Sequence, residues 1–367
     1  MLRKIKVCKV YNSAINYIRL FVLVCVLLLA PSFLYGQQGI QQHSGADPVK
    51  VSATLYINKI YNIDSVNETY QIDGYMYYSW IDERVVFSAE DSLAESMIYE
   101  NERAKELMKN DFWIPAFELI NVQGSKEDPN IRIEIHRDHK IEYVERFFDT
   151  FSTDMDYQKF PFDSQTFKVE IEAFSYDQSQ LIFTNSELFP KLDNENLSGI
   201  ISEDWKITNL KDAITTNSFE FPNNESEAQK TYSRVIFMVE AERIYGYYLW
   251  QVLFPLMIII LSSFSIFWIK EFSAQIGVGF TLMLTVVAFN FYSASILPKL
   301  PYNTFIEYVI IVGYIFIFLG IIAVILHHRL NSTNEVKDKI KLLKHCRYGF
   351  PVTYTLIMMI LFINKVL

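Results

Sequence analysis

The sequence predicts an all-β, Ig-like sandwich exposed outside the membrane, followed by a four-helix transmembrane domain. Three observations carry that expectation: period-two alternation between residues 51 and 243, four long apolar stretches in the last third of the chain, and opposite charge balances in the two parts. Residues 37–243 hold 38 of the 42 acidic and 19 of the 33 basic residues, so the formal charge of -9 conceals an acidic domain joined to a basic one.

The chain opens with Arg3, Lys4, Lys6, Lys9 and Arg19 around a short apolar run, residues 20–30, and then Gly36-Gln37-Gln38. A basic flank, a short apolar core and a small residue before a polar stretch read as a signal peptide over residues 1–36, with an uncleaved anchor as the alternative. Cys25 lies within an apolar run that continues past it, which argues against a lipoprotein site. The other cysteines are Cys8 and Cys346, so no disulfide can hold residues 37–243 together. Some 200 residues must then rely on an apolar core, which that length allows.

Strand patterns follow. Val51, Ala53, Leu55 and Ile57 alternate with polar neighbours, as do Ile131, Ile133 and Ile135, and Phe167, Val169 and Ile171 alternate with Lys168, Glu170 and Glu172. Glu127-Asp128-Pro129-Asn130 and Phe221-Pro222-Asn223-Asn224 carry turn chemistry, which favours an antiparallel sandwich. Residues 89–110 have helical composition and interrupt the strands. No internal repeat and no Pro/Gly/Ser linker is present, and the border at Arg243 is abrupt, so the two domains are expected to be mechanically coupled.

The apolar stretches predict helices at 245–269, 274–297, 304–328 and 349–367, each near the roughly 20 residues that cross a bilayer. Between the last two, Arg329, Lys337, Lys339, Lys341, Lys344 and Arg347 outweigh Glu335 and Asp338. The positive-inside bias makes that loop cytoplasmic, and by parity Lys270-Glu271 lies inside while Pro298-Lys299-Leu300-Pro301 and the acidic domain lie outside. An acidic exported domain repels phosphates, which excludes nucleic acid as a partner.

Within the second apolar stretch, Gly277, Thr281, Leu284, Ala288, Phe291 and Ser295 share one helical face. Phe280, Leu282, Met283, Val286, Val287, Phe289, Tyr292 and Ile296 occupy the others. One thin, mildly polar seam cannot enclose water, whereas several copies around an axis can.

Two segments place aromatics beside carboxylates: Glu172-Ala173-Phe174-Ser175-Tyr176 and Trp113-Ile114-Pro115-Ala116-Phe117-Glu118. Such pairings suit an organic ammonium ion, although single aromatics are more often core. His136-x-x-His139 reads as a hairpin tip rather than half a metal site, and His327-His328 as interfacial. Asn67-Glu68-Thr69 and Asn224-Glu225-Ser226 match a glycosylation triplet that is common by chance. The chain lacks a P-loop, Gly-x-Ser-x-Gly and HExxH, so no enzyme activity, cofactor or bound metal is expected.

Asp154-Met155-Asp156-Tyr157-Gln158-Lys159-Phe160-Pro161-Phe162-Asp163-Ser164-Gln165 resembles the signature loop of the pentameric ligand-gated ion channels, the Cys-loop receptor superfamily. Animal receptors carry cysteines where this chain has Thr153 and Phe167, and their absence resembles the bacterial branch. The likeness runs from Ile57-Asn58-Lys59-Ile60-Tyr61 to the last apolar stretch. It is closest to the amine-gated Erwinia type through Phe280-Thr281-Leu282-Met283-Leu284-Thr285-Val286-Val287-Ala288, Ile296-Leu297-Pro298-Lys299-Leu300-Pro301-Tyr302 and His327-His328-Arg329.

That resemblance implies about ten strands, a cyclic homopentamer in the cell inner membrane, and a periplasmic N-terminal domain over residues 37–243. It implies an agonist site between subunits, with Glu118, Glu172, Phe174, Phe219 and Tyr232 on one face and Tyr75 and Arg132 on the neighbour. Coupling would pass through Pro161, Phe162, Asp163 and Arg243 to Pro298, Lys299 and Pro301. Leu284 and Phe291 would form apolar gates, with Gly277 and Thr281 as the inner filter. Ala173 stands where the amine-gated type has proline, and Phe219 and Tyr232 exchange its aromatic types, which bears on the agonist. Ser273-Ala274-Gln275 replaces a glutamate at the inner mouth, which bears on charge selectivity.

The expected function is a cation-conducting channel opened by a small organic amine, its partners being copies of itself, permeant ions and the lipid bilayer. The alternatives are a proton- or pH-gated channel and a non-conducting periplasmic amine sensor.

Overall fold

The computed structural model describes residues 47–85, 95–110, 113–124, 129–191, 197, 199–219, 230–331 and 336–366. The expected signal peptide and the turns at Glu127-Asp128 and 221–224 lie outside those residues, as does Asn224-Glu225-Ser226. Ten strands follow in order: β1 (Val49–Asp64), β2 (Thr69–Ile81), β3 (Ser96–Glu100), β4 (Glu118–Leu119), β5 (Asn130–His136), β6 (Lys140–Ser152), β7 (Ser164–Glu172), β8 (Leu181–Phe189), β9 (Trp205–Phe219) and β10 (Lys230–Arg243).

These strands form a six-stranded sheet, β3-β5-β6-β2-β1-β8, and a four-stranded sheet, β4-β7-β10-β9. All pairings are antiparallel except β1 with β8, which is parallel and departs from the antiparallel sandwich expected. The alternating residues face inward as predicted: Val51, Leu55, Ile133, Phe167 and Ile171 are all buried. Trp80, Tyr70, Phe151 and Phe237 fill the space between the sheets. The Tyr70 hydroxyl on β2 accepts the Lys168 amide of β7 at 2.7 Å, which ties one sheet to the other.

The helix expected over 89–110 is shorter. Met97, Ile98 and Tyr99 instead pair with Ile135, Glu134 and Ile133, so this segment is the edge strand β3. Asn101 then takes a positive φ of 49°, a conformation asparagine tolerates, and α1 (Asn101–Asn110) begins there. Residues 89–94 lie outside the described residues.

The membrane part consists of α2 (Gly246–Phe267), α3 (Phe272–Ser295), α4 (Phe305–Asn331) and α5 (Val336–Lys365). Four of its segments, 22 to 25 residues long, are long and apolar enough to span, so this is a multi-pass membrane protein. After three α-helical residues α2 makes a π-helical turn, Leu249–Leu253, and it closes with a 3₁₀ turn, Phe264–Phe267. The fourth helix starts at Val336 rather than 349. Its first residues, Lys337 to Lys341, are charged but favour helix, and their charge had marked them as loop. Gly279 and Gly313 let helices approach closely: a Cβ at Gly279 would lie 2.8 Å from Ile321, and one at Gly313 2.7 Å from Ile260.

Candidate functional site

Alternation along β10 places Tyr232 and Arg234 on one face of the four-stranded sheet, next to Glu172 at the end of β7. There the structure brings three rings together. Phe174 and Tyr232 stack at 5.9 Å and 14°, and Phe219 stands edge-on to both at 6.4 and 5.7 Å. Tyr232 is buried, while Phe174 and Phe219 are 46% and 36% exposed, so the cluster opens to solvent on one side.

Glu172 is fully buried beside the rings. Its Oε2 accepts hydrogen bonds from Nε of Arg234 at 2.9 Å and from Asn217 at 3.3 Å and lies 2.7 Å from Nη2 of Arg234, while its Oε1 has no partner. A buried carboxylate oxygen without a donor is costly unless a ligand supplies one. Arg234 also pairs with Glu170 at 3.1 Å, so one guanidinium serves two carboxylates. Glu118 is exposed and lies opposite Glu172 in the β4–β7 register.

Tyr75 and Arg132 belong to the outer face of the other sheet and do not join this cluster within one chain. Arg146 lies 5.8 Å over the Tyr75 ring and also pairs with Asp73, and Arg132 pairs with Glu134 at 2.7 Å. The Trp113–Glu118 segment packs inward instead: Trp113 is buried against Tyr176, and Phe117 stacks on Tyr78 at 3.9 Å. Sequence reasoning missed Arg234 and Asn217. The signal for Arg234 was its two-residue spacing from Tyr232, which fixes both on one face.

At the opposite end of β10, Arg243 donates to both oxygens of Asp163 at 2.8 and 3.0 Å, with 4% and 1% of the two side chains exposed. Trp205, Phe160 and Tyr248 surround the guanidinium at 4.3, 5.0 and 5.7 Å. Burial opposes its charge, but Asp163 more than compensates and raises the Arg243 pKa. Phe162 sits against Tyr245, Phe305 and Phe362, at 4.9, 5.7 and 5.7 Å. The α3–α4 connection meets the signature loop through Tyr302, whose hydroxyl accepts the Tyr157 amide at 3.1 Å. Lys299 and Pro301 are exposed, Pro298 is half-buried and Pro161 is buried.

On α3 the six residues of the stripe, Gly277, Thr281, Leu284, Ala288, Phe291 and Ser295, are all exposed in the single chain. Leu284 at 69% and Phe291 at 72% are the most exposed large apolar residues described, so that face lacks its packing partner. The opposite face, Gln275, Gly279, Val286 and Ser293, is buried. Gln275 turns inward and donates to the carbonyls of Ile266 and Ile269 at 2.9 and 3.0 Å, so it stays out of the stripe.

Residues 31–245 match the neurotransmitter-gated ion-channel ligand binding domain. The chain is a ligand-gated ion channel of the Cys-loop receptor superfamily. The chain is 25% identical to the proton-gated ion channel of Gloeobacter violaceus, over 86% of itself and 83% of that protein. It is 26% identical to the gamma-aminobutyric acid receptor subunit beta-4 of Gallus gallus, over 76% of itself and 54% of that subunit. The human rho-1 subunit shares 23% identity over 84% of this chain and 62% of its own length. Channels of this superfamily are pentamers, which supplies the missing partner for the exposed face of α3.

Proposed function

We propose that this ligand-gated channel opens when a small primary amine binds beside Phe174, Phe219 and Tyr232, and that it conducts cations. The three-ring cluster, next to Glu172 with its unpartnered Oε1, carries the reading. An ammonium group offers three donors and a charge, which suits both a π face and a bare carboxylate oxygen. The resemblance to the amine-gated Erwinia type points the same way. Tyr75 and Arg132 would close the site from a neighbouring subunit of a homopentamer. Leu284 and Phe291 would gate the pore, and Gly277 and Thr281 would line its inner end. The excess of carboxylates in residues 37–243 would concentrate cations at the outer mouth, on the periplasmic side of an inner membrane.

Proton gating is the second reading, favoured by His136 standing beside Glu134 and Glu142 and by the similarity to the proton-gated channel of Gloeobacter violaceus. A non-conducting amine sensor has less support, because only residues 332–335 separate α4 from α5. Bilayer recordings of purified protein decide among the three. Primary amines should evoke current at constant pH, with a reversal potential in asymmetric salt that follows the cation. Full current from a pH step alone would favour proton gating, and silence across all conditions would favour the sensor.

A further inference from the structure

β5 and β6 form a hairpin next to the edge strand β3 of the six-stranded sheet, and its solvent-facing side brings together Glu134, His136 and Glu142. Nε2 of His136 lies 3.4 Å from Oε2 of Glu142 and 3.9 Å from Oε1 of Glu134, and the three ligand atoms fall within 4.8 Å of one another. That Nε2 atom is buried and makes no hydrogen bond. The carboxylates are held from behind: Arg132 donates to Oε2 of Glu134 at 2.7 Å, Ser96 to its Oε1 at 2.8 Å, and Lys140 to Oε1 of Glu142 at 2.5 Å.

We propose that Glu134, His136 and Glu142 form a binding site for a divalent transition cation of the zinc class. One imidazole nitrogen and two carboxylate oxygens are a donor set that zinc accepts, and bonds of about 2.0–2.2 Å place tetrahedral ligands roughly 3.4 Å apart. The His136–Glu142 separation already has that value, and the His136–Glu134 separation exceeds it by about half an ångström. Magnesium and calcium prefer oxygen alone, so the imidazole selects against them. The outer hydrogen bonds orient both carboxylates, as supporting groups do at established metal sites.

The groups around the site are Ser96 on β3, Arg132 and Glu134 on β5, Lys140 and Glu142 on β6, and Tyr77 on β2 behind Glu142. A bound cation and Arg132 would share the Glu134 carboxylate, one on each oxygen. That any effect on agonist response follows rests on the proposed role of Arg132; the binding itself does not.

Isothermal titration of tag-free, full-length protein with zinc chloride tests the site, with magnesium chloride as the contrast. Wild type should bind one zinc per chain, and His136→Ala and Glu142→Gln should each weaken that binding at least tenfold. His139→Ala should leave it unchanged, since His139 faces the Val85 carbonyl at 2.9 Å instead. Thermal melts without metal confirm that each variant is folded, and Glu142→Gln carries the test should His136→Ala fail to fold. Zinc binding that is absent from wild type, equal in Glu142→Gln, or matched by magnesium overturns the proposal.

Discussion

Arg243 and Asp163 meet through two hydrogen bonds of 2.8 and 3.0 Å at the border between sandwich and helices, almost wholly shielded from water. Deleting one partner of such a pair strands the other charge at a cost of about 3–5 kcal/mol. Arg243→Ala should therefore lower the melting temperature and the yield of assembled protein. Arg243→Lys keeps the charge but loses the paired geometry and the planar stack on Trp205. It should assemble, bind agonist with unchanged affinity and pass less current, measured by equilibrium binding and recording on the same preparation.

Replacing Phe174 with alanine removes a π face from a half-exposed site. At about 1–2 kcal/mol, agonist affinity should fall by roughly 5- to 30-fold without loss of stability. A titration showing unchanged affinity for every primary amine would remove the ring from the site.

Leu284 and Phe291 project from the face of α3 that a single chain leaves bare. If they close the pore by excluding water, Leu284→Ser and Phe291→Ser should leak current without agonist. Substitution of Ile260 or Val286, which pack inside the subunit, should instead affect stability.

The two glycines of α3 make opposite forecasts. A Cβ at Gly279 meets Ile321 at 2.8 Å, so Gly279→Ala should cost about 1–3 kcal/mol, seen as a drop in melting temperature. Gly277 has nothing within 4 Å, so Gly277→Ala should keep that temperature and change single-channel conductance instead.

Burial alone would raise the Glu142 pKa, but Lys140, Tyr77 and His136 together hold it below the ordinary 4.5. A carboxylate depressed in the folded state adds stability above its unfolded value and loses it as pH falls through the folded one. Wild type should thus lose melting temperature more steeply than Glu142→Gln below about pH 4.5.

Local pattern and long-range pairing differed in how far the sequence revealed them. Alternation from Val51 to Ile57 exposed the inward face of β1, because a half-buried strand must alternate, yet nothing in those residues marks β8 as its parallel partner. Met97 to Tyr99 read as helix because their strand character depends on β5 alongside. The stripe from Gly277 to Ser295 was legible because helical spacing and polarity are both local. The ring cluster was legible only through family likeness, since Phe174, Phe219 and Tyr232 come from separate segments. The pairing of Arg234 with Glu172 and the grouping of Glu142 with Glu134 and His136 arise across strands, where linear spacing carries little information.

The seat of Phe162 has a mechanical consequence. Its ring bears at once on Tyr245 ahead of α2, Phe305 at the start of α4 and Phe362 near the end of α5. Among the described residues α3 has no ring contact in that grip, and the loop that follows it meets the sandwich through the hydroxyl of Tyr302. On the proposed reading of α3 as the pore helix, displacement of the sandwich would act as a lever on the other three helices. α3 would be carried along, as a door leaf follows its frame, and the force that opens the conduit would be applied away from the ions.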